Sequence, residues 1–535
     1  MKHSLLLLLV AFLAVAACGP NGSQHRWRGF GRAECDSTDM QDATDPLAAR
    51  PLERFPDTTY ASIEDLQWVV VVKDTTDDGL LKYLEDPYDD VPGTFTFRGN
   101  QRRDMPATGR ICGTPAEIVT EWVFTTASDT THTPYGTWFG GAGWTGQPLY
   151  VHWSDSAAAA FRAVSPALTR DFGEREIIVG SLCGSVYFIN YENGRESRES
   201  IDAGSVIKGT VSLDTQLPNL YVGHGVQLSD TFGNITLDLE RHCISHIYGR
   251  DPGAWRGWGA YDGSAILAGG YLFRTGENGT LYKYVREKGA LKTVALLRYR
   301  EKGLWGAAGI ESSLAVCRNY GYFGDNRGNI LCVNLDTMSP VWRYDNHDDT
   351  DASIVIEEID GQPFIYTCSE LDKQGDEGEV HFVKLDGLSG EPIWDCPFQC
   401  MTAAGKDKRF EGGMFATPLT GRGDCRDLIF VNICDYNPGL SGLTAAVDRS
   451  SGRIVWQTRL RHYAWSSPLA FCNEAGKMYL CTADCAGYIH LMDARSGSIL
   501  FSKHIGNNFE ASGVVIDDCV VIPSRGNQIF KLRIK

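Results

Sequence analysis

The sequence predicts an all-β fold, an eight-bladed β-propeller closed by pairing an N-terminal strand with the C-terminal blade. Three observations predict it. One hairpin is written repeatedly in a fixed register. Each copy follows a further strand and a small-residue entry segment. The last copy lacks its fourth strand, while an unassigned strand stands ahead of the first. A recurrence of roughly 40–50 residues is the length of a propeller blade.

The hairpin comes first. "AVDRSSGRIVW" and "LMDARSGSILF" place Asp, Gly and an aromatic residue at equal offsets, as Asp448, Gly452, Trp456 and Asp493, Gly497, Phe501. Asp386, Gly390 and Trp394 repeat the spacing. Asn334 and Trp342 keep it with Met338 in the glycine's place, while Asn190/Gly194 and Val285/Gly289 keep its first half. A second glycine opens the strand before each hairpin: Gly184, Gly233, Gly279, Gly328, Gly378, Gly442, Gly487 and Gly526, spaced by 49, 46, 49, 50, 64, 45 and 39 residues. Between the two glycines the residues alternate, as in "GNILCVN", which reads as a half-buried strand. The Asp or Asn side chain can bond the turn amides, and the Gly at +4 supplies the positive φ of a short hairpin loop.

The other elements follow. Strands such as "REIIVGSL", "RDLIFVNIC" and "KMYLCTA" precede the units, and entries such as "MFATPLT" and "WSSPLAF" precede those. Each unit therefore predicts four short antiparallel strands. The last one, "GVVIDDCVVIPSRGNQIFKLRIK", holds three. "AEIVTEWVFTT", with Trp122, supplies the missing strand if it pairs near Phe530 to Ile534, which also removes two open sheet edges.

Length alone would suggest three or four domains for 535 residues. The repeat instead makes residues 113–535 one body. The amino terminus, "MKHSLLLLLVAFLAVAAC", has a basic start and an apolar run too short to span a bilayer, so residues 1–18 read as a signal peptide. The small residues before Cys18 resemble a bacterial lipoprotein signal, which implies cleavage before Cys18 and lipidation on it. A lipid-anchored protein of the bacterial cell envelope, at the outer membrane facing the periplasm, is then expected. Residues 19–57 read as a flexible tether. Residues 58–112, with "LQWVVVV" and "GTFTFRGNQRRD", read as a small strand-bearing extension lying on the propeller. The formal net charge of −17 argues against a nucleic-acid partner, because phosphate binding needs Lys and Arg.

"FRGN" (Phe97 to Asn100) with Arg102 or Arg103 following, the D/N-x-x-S/N-G-x-x-x-W hairpin and the eight units together resemble the quinoprotein-like propellers, the PQQ-binding-like repeat proteins. The resemblance spans about residues 93–535. With a lipid tether it implies a scaffold lipoprotein like that of outer-membrane protein assembly, with protein partners and no catalysis. Its other branch implies an alcohol dehydrogenase using pyrroloquinoline quinone (PQQ) and calcium. Those dehydrogenases typically carry two adjacent cysteines, and the sixteen cysteines here include no adjacent pair. No C-x-x-C-H, G-x-S-x-G or H-E-x-x-H motif occurs either. No catalytic residue, metal ligand or cofactor is therefore expected, and PQQ with calcium belongs to the alternative reading only.

Cys183, Cys332, Cys368, Cys434 and Cys481 fall inside strand patterns and read as small buried thiols. Two acidic runs, "YDNHDDTDAS" and "ELDKQGDEGE", match no calcium loop and read as solvated loops. The entry segments are rich in Gly and large aromatics, and in a propeller they reach one rim of the channel. Trp144, Trp258, Trp305, Phe415 and Trp465, with Glu311, Glu411 and Glu510, are the candidate funnel residues. The expected function is a monomeric, non-catalytic binding or scaffold propeller. The alternative is an enzyme that holds a quinone or a carbohydrate in the funnel.

Overall fold

The structure is a computed structural model that describes residues 52–105, 108–143, 146–228, 232–404, 409–436 and 442–535. Cys18 and residues 19–51 of the expected tether fall outside them, as does Trp144. Eight antiparallel sheets follow one another along the chain, one per predicted unit. Blade 1 has Leu149–His152 innermost, then Arg175–Gly180, Ser185–Asn190 and Glu196–Asp202. The innermost strands of blades 2 to 7 are Ser212–Leu213, Ile266–Ala268, Ala315–Cys317, Val355–Ile359, Leu419–Thr420 and Leu469–Asn473. Blade 8 runs Val514–Ile516, Cys519–Pro523, Gln528–Ile534 and then Ile118–Thr125. Trp122 lies opposite Lys531 in that last pairing, so chain segments from both ends build one sheet. A ten-residue helix, Asp155–Val164, is inserted in blade 1, capped by the Ser154 hydroxyl accepting from Ala157 N.

The repeated hairpin explains how neighbouring blades fit. Asp386, Asp448 and Asp493 each accept two turn amides through Oδ1. The glycine at +4 has φ of +77°, +71° and +73° in these three copies. It also leaves room for the tryptophan of the preceding blade: a Cβ on Gly390, Gly452 or Gly497 would stand 2.5 to 2.7 Å from the ring of Trp342, Trp394 or Trp456. Each indole then donates Nε1–H to the carbonyl one residue past the Asp, Trp342 to Gly387 at 3.0 Å, Trp394 to Arg449 at 3.0 Å and Trp456 to Ala494 at 3.0 Å. Trp122 docks in the same way on blade 1, to Tyr191 O at 2.9 Å over Gly194. The aromatic at +8 is thus an interblade wedge, and the same wedge closes the ring.

The amino-terminal part of the described chain packs in two places. Leu66–Val72 adds a fifth strand to the outer edge of blade 3, with Leu66 opposite Glu301. Residues 93–105 and 108–111 run beneath the inner strands from blade to blade. Gly93–Thr94 pairs with blade 1, Leu213 N donates to Phe95 O, Gln101 Nε2 to Leu267 O, Val316 N to Gln101 O and Ile356 N to Arg102 O. Thr108–Ile111 lies parallel to Leu469–Asn473, and Arg110 N donates to Asp517 O. At the centre Arg98 reaches Pro418 O at 2.9 Å and Pro468 O at 3.4 Å. Arg103 donates to Leu314 O, Thr96 Oγ1, Phe97 O and Ser264 O at 2.7 to 3.1 Å. Both arginines are buried, and both have left-handed backbones, φ +55° and +59°. The "FRGN" motif therefore makes a floor across the channel, wired to the carbonyls of the inner strands.

Candidate functional site

Directly above this floor, each chain entry to an inner strand in blades 2 to 8 carries a hydroxyl residue in register, and blade 1 has Gln147 there, with its N–H on Thr210 Oγ1. Ser264 N donates to Ser313 Oγ, Ser313 N to Ser353 Oγ, Thr417 N to Ser467 Oγ and Ser467 N to Ser512 Oγ, at 2.9 to 3.1 Å. The serine or threonine of one blade thus binds the backbone of the blade before it, and a belt results. This is why the entries read "DGS", "ESS", "DAS", "FAT", "WSS" and "EAS".

The belt aligns the residue two positions earlier in every blade. Those residues are Lys208, Asp262, Glu311, Asp351, Phe415, Trp465 and Glu510 in blades 2 to 8. In blade 1 the belt residue is Gln147, so Thr145 and not Trp144 holds the matching sequence position. They divide into two arcs. Blades 2 to 5 carry charge, and blades 6 and 7 carry aromatic rings.

In the charged arc, Asp262, Glu277 and Glu311 each bring a carboxylate oxygen within 4.8 Å of the others, as do Asp349, Asp351 and Glu370. Lys208 serves the first group, with Nζ bonded to Asp262 Oδ2 and 3.9 Å from Glu277 Oε1. Burial opposes the charge on Lys208, but Asp262, Glu277 and Glu311 hold its ammonium above the usual range. In the second group the cation that acts on Asp349 is the exposed Lys373, which lies 3.9 Å from Asp348 and only partly offsets the crowding of the carboxylates. Asp351 and Glu370 face each other, and Asp349 Oδ1, Asp351 Oδ1 and Glu370 Oε1 are buried without a hydrogen-bond partner. Burial, then the neighbouring carboxylates, push the Asp349, Asp351 and Glu370 carboxyls well above the ordinary carboxylate range. Glu277 is raised in the same way, by burial and then by Glu311 and Asp262. Two like charges 4.8 Å apart repel by on the order of 3 kcal/mol at an effective dielectric near 20. The wall therefore favours either shared protons or an incoming positive charge.

In the aromatic arc, Phe415 and Trp465 have ring centroids 4.8 Å apart, Tyr463 lies 5.9 Å from Trp465, and Tyr436 lies 5.1 Å from Tyr463. Glu510 is not free charge here. Arg525 Nη1 lies 3.1 Å from its Oε2, and Asn508 donates to its Oε1 at 2.7 Å.

Of the residues singled out from sequence, Glu311, Phe415, Trp465 and Glu510 stand at the ring position. Trp258 joins them by donating Nε1–H to Glu277 Oε2 at 2.6 Å, while its ring packs on Tyr135. Glu411 is half-buried and adds to the field on Glu370. Trp305 is not brought into the ring. It is 95% exposed, in a loop clipped by Arg327 to Trp305 O and Gly306 O. Sequence reasoning missed Lys208, Asp262, Glu277, Asp349, Asp351 and Glu370. The register of residue, small residue, Ser or Thr ahead of each inner strand would have found three of them. Asp349, Asp351 and Glu370 lie in the two acidic runs that read as solvated loop. All fourteen cysteines of the described residues are free thiols, and most are buried.

The resemblance of this chain to known proteins lies in its fold. No family model and no curated protein matches it. Solved structures do. A europium-containing methanol dehydrogenase superposes with a TM-score of 0.56 at 12% identity, covering 85% of this chain and 100% of that one. The quinohemoprotein alcohol dehydrogenase ADHIIG of Pseudomonas putida HK5 gives 0.56 at 11%, covering 84% and 80%. BamB of Moraxella catarrhalis gives 0.45 at 15%, covering 69% and 95%. At such identities the two dehydrogenase structures establish the fold alone, an eight-bladed β-propeller.

Proposed function

We propose that this protein is a non-catalytic binding propeller whose channel mouth takes a positively charged ligand, a Lys- or Arg-bearing segment of a partner protein in the bacterial envelope. One observation carries the reading. Asp349, Asp351 and Glu370 hold buried oxygens that no donor in the described chain satisfies. A buried, unpaired carboxylate is costly, and an ammonium or guanidinium would relieve it. The neighbouring Phe415, Trp465 and Tyr463 rings supply the faces over which such a cation sits favourably.

The quinone branch fits these residues poorly. PQQ is a tricarboxylate, and here it would meet a wall dominated by carboxylates. The sequence also offers no adjacent cysteine pair. No reaction step is derived through that cofactor.

The test is a Trp fluorescence titration of the full chain with a Lys/Arg-rich peptide, an acidic control peptide, calcium, neutral oligosaccharide and the quinone. Saturable binding of the basic peptide alone, weakened about tenfold or more in Glu370→Gln and in Trp465→Ala, is expected. Equal responses of both variants and the wild type would reject the reading. A quinone response or a calcium response that survives peptide would favour the enzyme. The anchor belongs to the same proposal. Cys18→Ser should release the protein from membranes or block its processing. A processed, unlipidated chain of that variant still on membranes would overturn lipid anchoring.

A further inference from the structure

Away from the channel mouth, the crevice between blades 4 and 5 brings together three residues that neither the fold nor the proposed ligand needs. His347 follows the outer strand Ser339–Asp345 of blade 4, and His381 and Asp395 lie on the strands Glu377–Asp386 and Pro392–Met401 of blade 5. One potential ligand atom from each lies within 4.8 Å of the other two. The imidazoles face each other across the blade boundary with ring centroids 4.4 Å apart.

The pieces are set rather than loose. Asp395 meets His381 Nδ1 with both oxygens, at 3.0 and 2.9 Å. A carboxylate on one ring nitrogen fixes the proton there and leaves the lone pair of the other nitrogen outward, the arrangement that metal-bound histidines use. The backbone of His381 is held on both sides, its N–H by Ser369 Oγ and its carbonyl by Ser369 N. His347 is held in a left-handed conformation, φ +70°, with its N–H on Asp345 Oδ1 at 2.9 Å. A histidine there carries a backbone cost of order 1 kcal/mol that a glycine would not. His381 and Asp395 remain reachable, with side chains 15% and 33% exposed.

We infer that His347, His381 and Asp395 form a binding site for a borderline divalent transition-metal ion of the Zn2+ class, spanning blades 4 and 5. The two imidazoles would supply the protein ligands, with Asp395 behind His381 fixing its tautomer, and such nitrogen ligands suit calcium or magnesium poorly. Water completes the shell, because the crevice opens to solvent. The ion would staple the two blades at a second point, apart from the Trp342 wedge. The inference is independent of the channel reading.

The experiment uses the full chain with accessible thiols alkylated, since exposed Cys112 and Cys243 are competing soft ligands. Zn2+ content after dialysis is measured by elemental analysis, and Co2+ is bound in parallel to read its visible spectrum. The wild type should hold about one equivalent more than His347→Gly, which accepts the positive φ without supplying a ligand. Asp395→Asn should weaken binding about 10–100-fold. The Co2+ bands should show nitrogen and oxygen ligation, and excess Ca2+ should not compete. Equal metal content in wild type, His347→Gly and His381→Gln would overturn the inference. So would a Co2+ spectrum dominated by thiolate charge transfer and unchanged in His347→Gly.

Discussion

The floor and the wall of the funnel are buried to a similar degree, yet they treat charge in opposite ways. Arg98 and Arg103 on the floor are 1% and 0% exposed, and their donors meet seven acceptors, mostly backbone carbonyls. Burial pulls both guanidinium pKa values down to about 10, which still leaves them charged at neutral pH. Asp351 and Glu370 on the wall are 9% and 2% exposed, and each keeps an oxygen with no partner. A satisfied buried charge fixes a structure, and an unsatisfied one stores affinity for something else. The comparison separates the part of the centre that holds the ring together from the part available for recognition.

Breaking the floor should have the largest effect. Arg103→Met removes four charge-assisted bonds and strands the carbonyls of Leu314, Phe97 and Ser264. A loss of roughly 4 kcal/mol or more is expected from the usual value of such bonds, read as a fall in the urea midpoint at unchanged slope. A loss below about 1 kcal/mol would mean that the floor is not structural, against the value expected for such bonds.

A buried histidine sharpens the contrast through pH. His224 is 1% exposed, bonded through Nε2 to Ala203 O, and Gly233 N donates to its Nδ1. It is therefore held neutral, and burial pulls its pKa down to about 4 from 6.5. The unfolded chain binds the proton first, so the stability from this residue is complete above pH 6.5 and is lost as pH falls towards 4. The full window is worth about 3 kcal/mol. His224→Gln should flatten stability against pH between those values. The wall carboxylates run the other way. Their folded pKa values are raised, so they destabilise at neutral pH and the penalty disappears as acid protonates them.

The smallest effect is the most diagnostic. Glu370→Gln removes one carboxyl from the crowded trio and should stabilise the free protein at pH 7 by about 1–2 kcal/mol. The gain should shrink on acidification and be accompanied by weaker binding of the basic peptide. A destabilised Glu370→Gln, by thermal unfolding at both pH values, would show that Glu370 already has a partner.

Much of this was legible in advance because propeller repeats write their constraints locally. The Asp that bonds its own turn, the glycine with positive φ and the tryptophan eight residues on are all fixed by one hairpin, so their spacing survives in the sequence. Trp122 could be assigned to the last blade because the final unit was one strand short. The charged wall was not legible in the same way. Asp349 and Glu370 are brought together where they flank the hairpin of Val355–Ile359 and Gln362–Cys368, with Glu370 N donating to Asp349 O, and an acidic loop looks the same in sequence whether solvent or protein covers it. Trp305 misled for the converse reason, since a Gly-flanked tryptophan can as well stand in water as line a channel. The helix Asp155–Val164 escaped notice because it is an insertion that obeys no repeat. The floor segment touches the blades largely through single hydrogen bonds, which leave no periodic trace.

The pairing of Ile118–Thr125 with Gln528–Ile534 has a consequence in time rather than in space. The clasp joins residues about 400 positions apart, so the chain cannot shut its ring until Gln528–Ile534 has been made. Until then blade 1 lacks the indole of a completed blade 8, and the last three strands have no outer neighbour. Contacts of such long range are slow to form, because a large loop must close before they stabilise anything. Closure is thus set to be a late event in folding. Removing the few residues beyond Asn527 would do more than shorten a terminus. It would leave the protein permanently at the stage just before closure, with seven finished blades and an open seam.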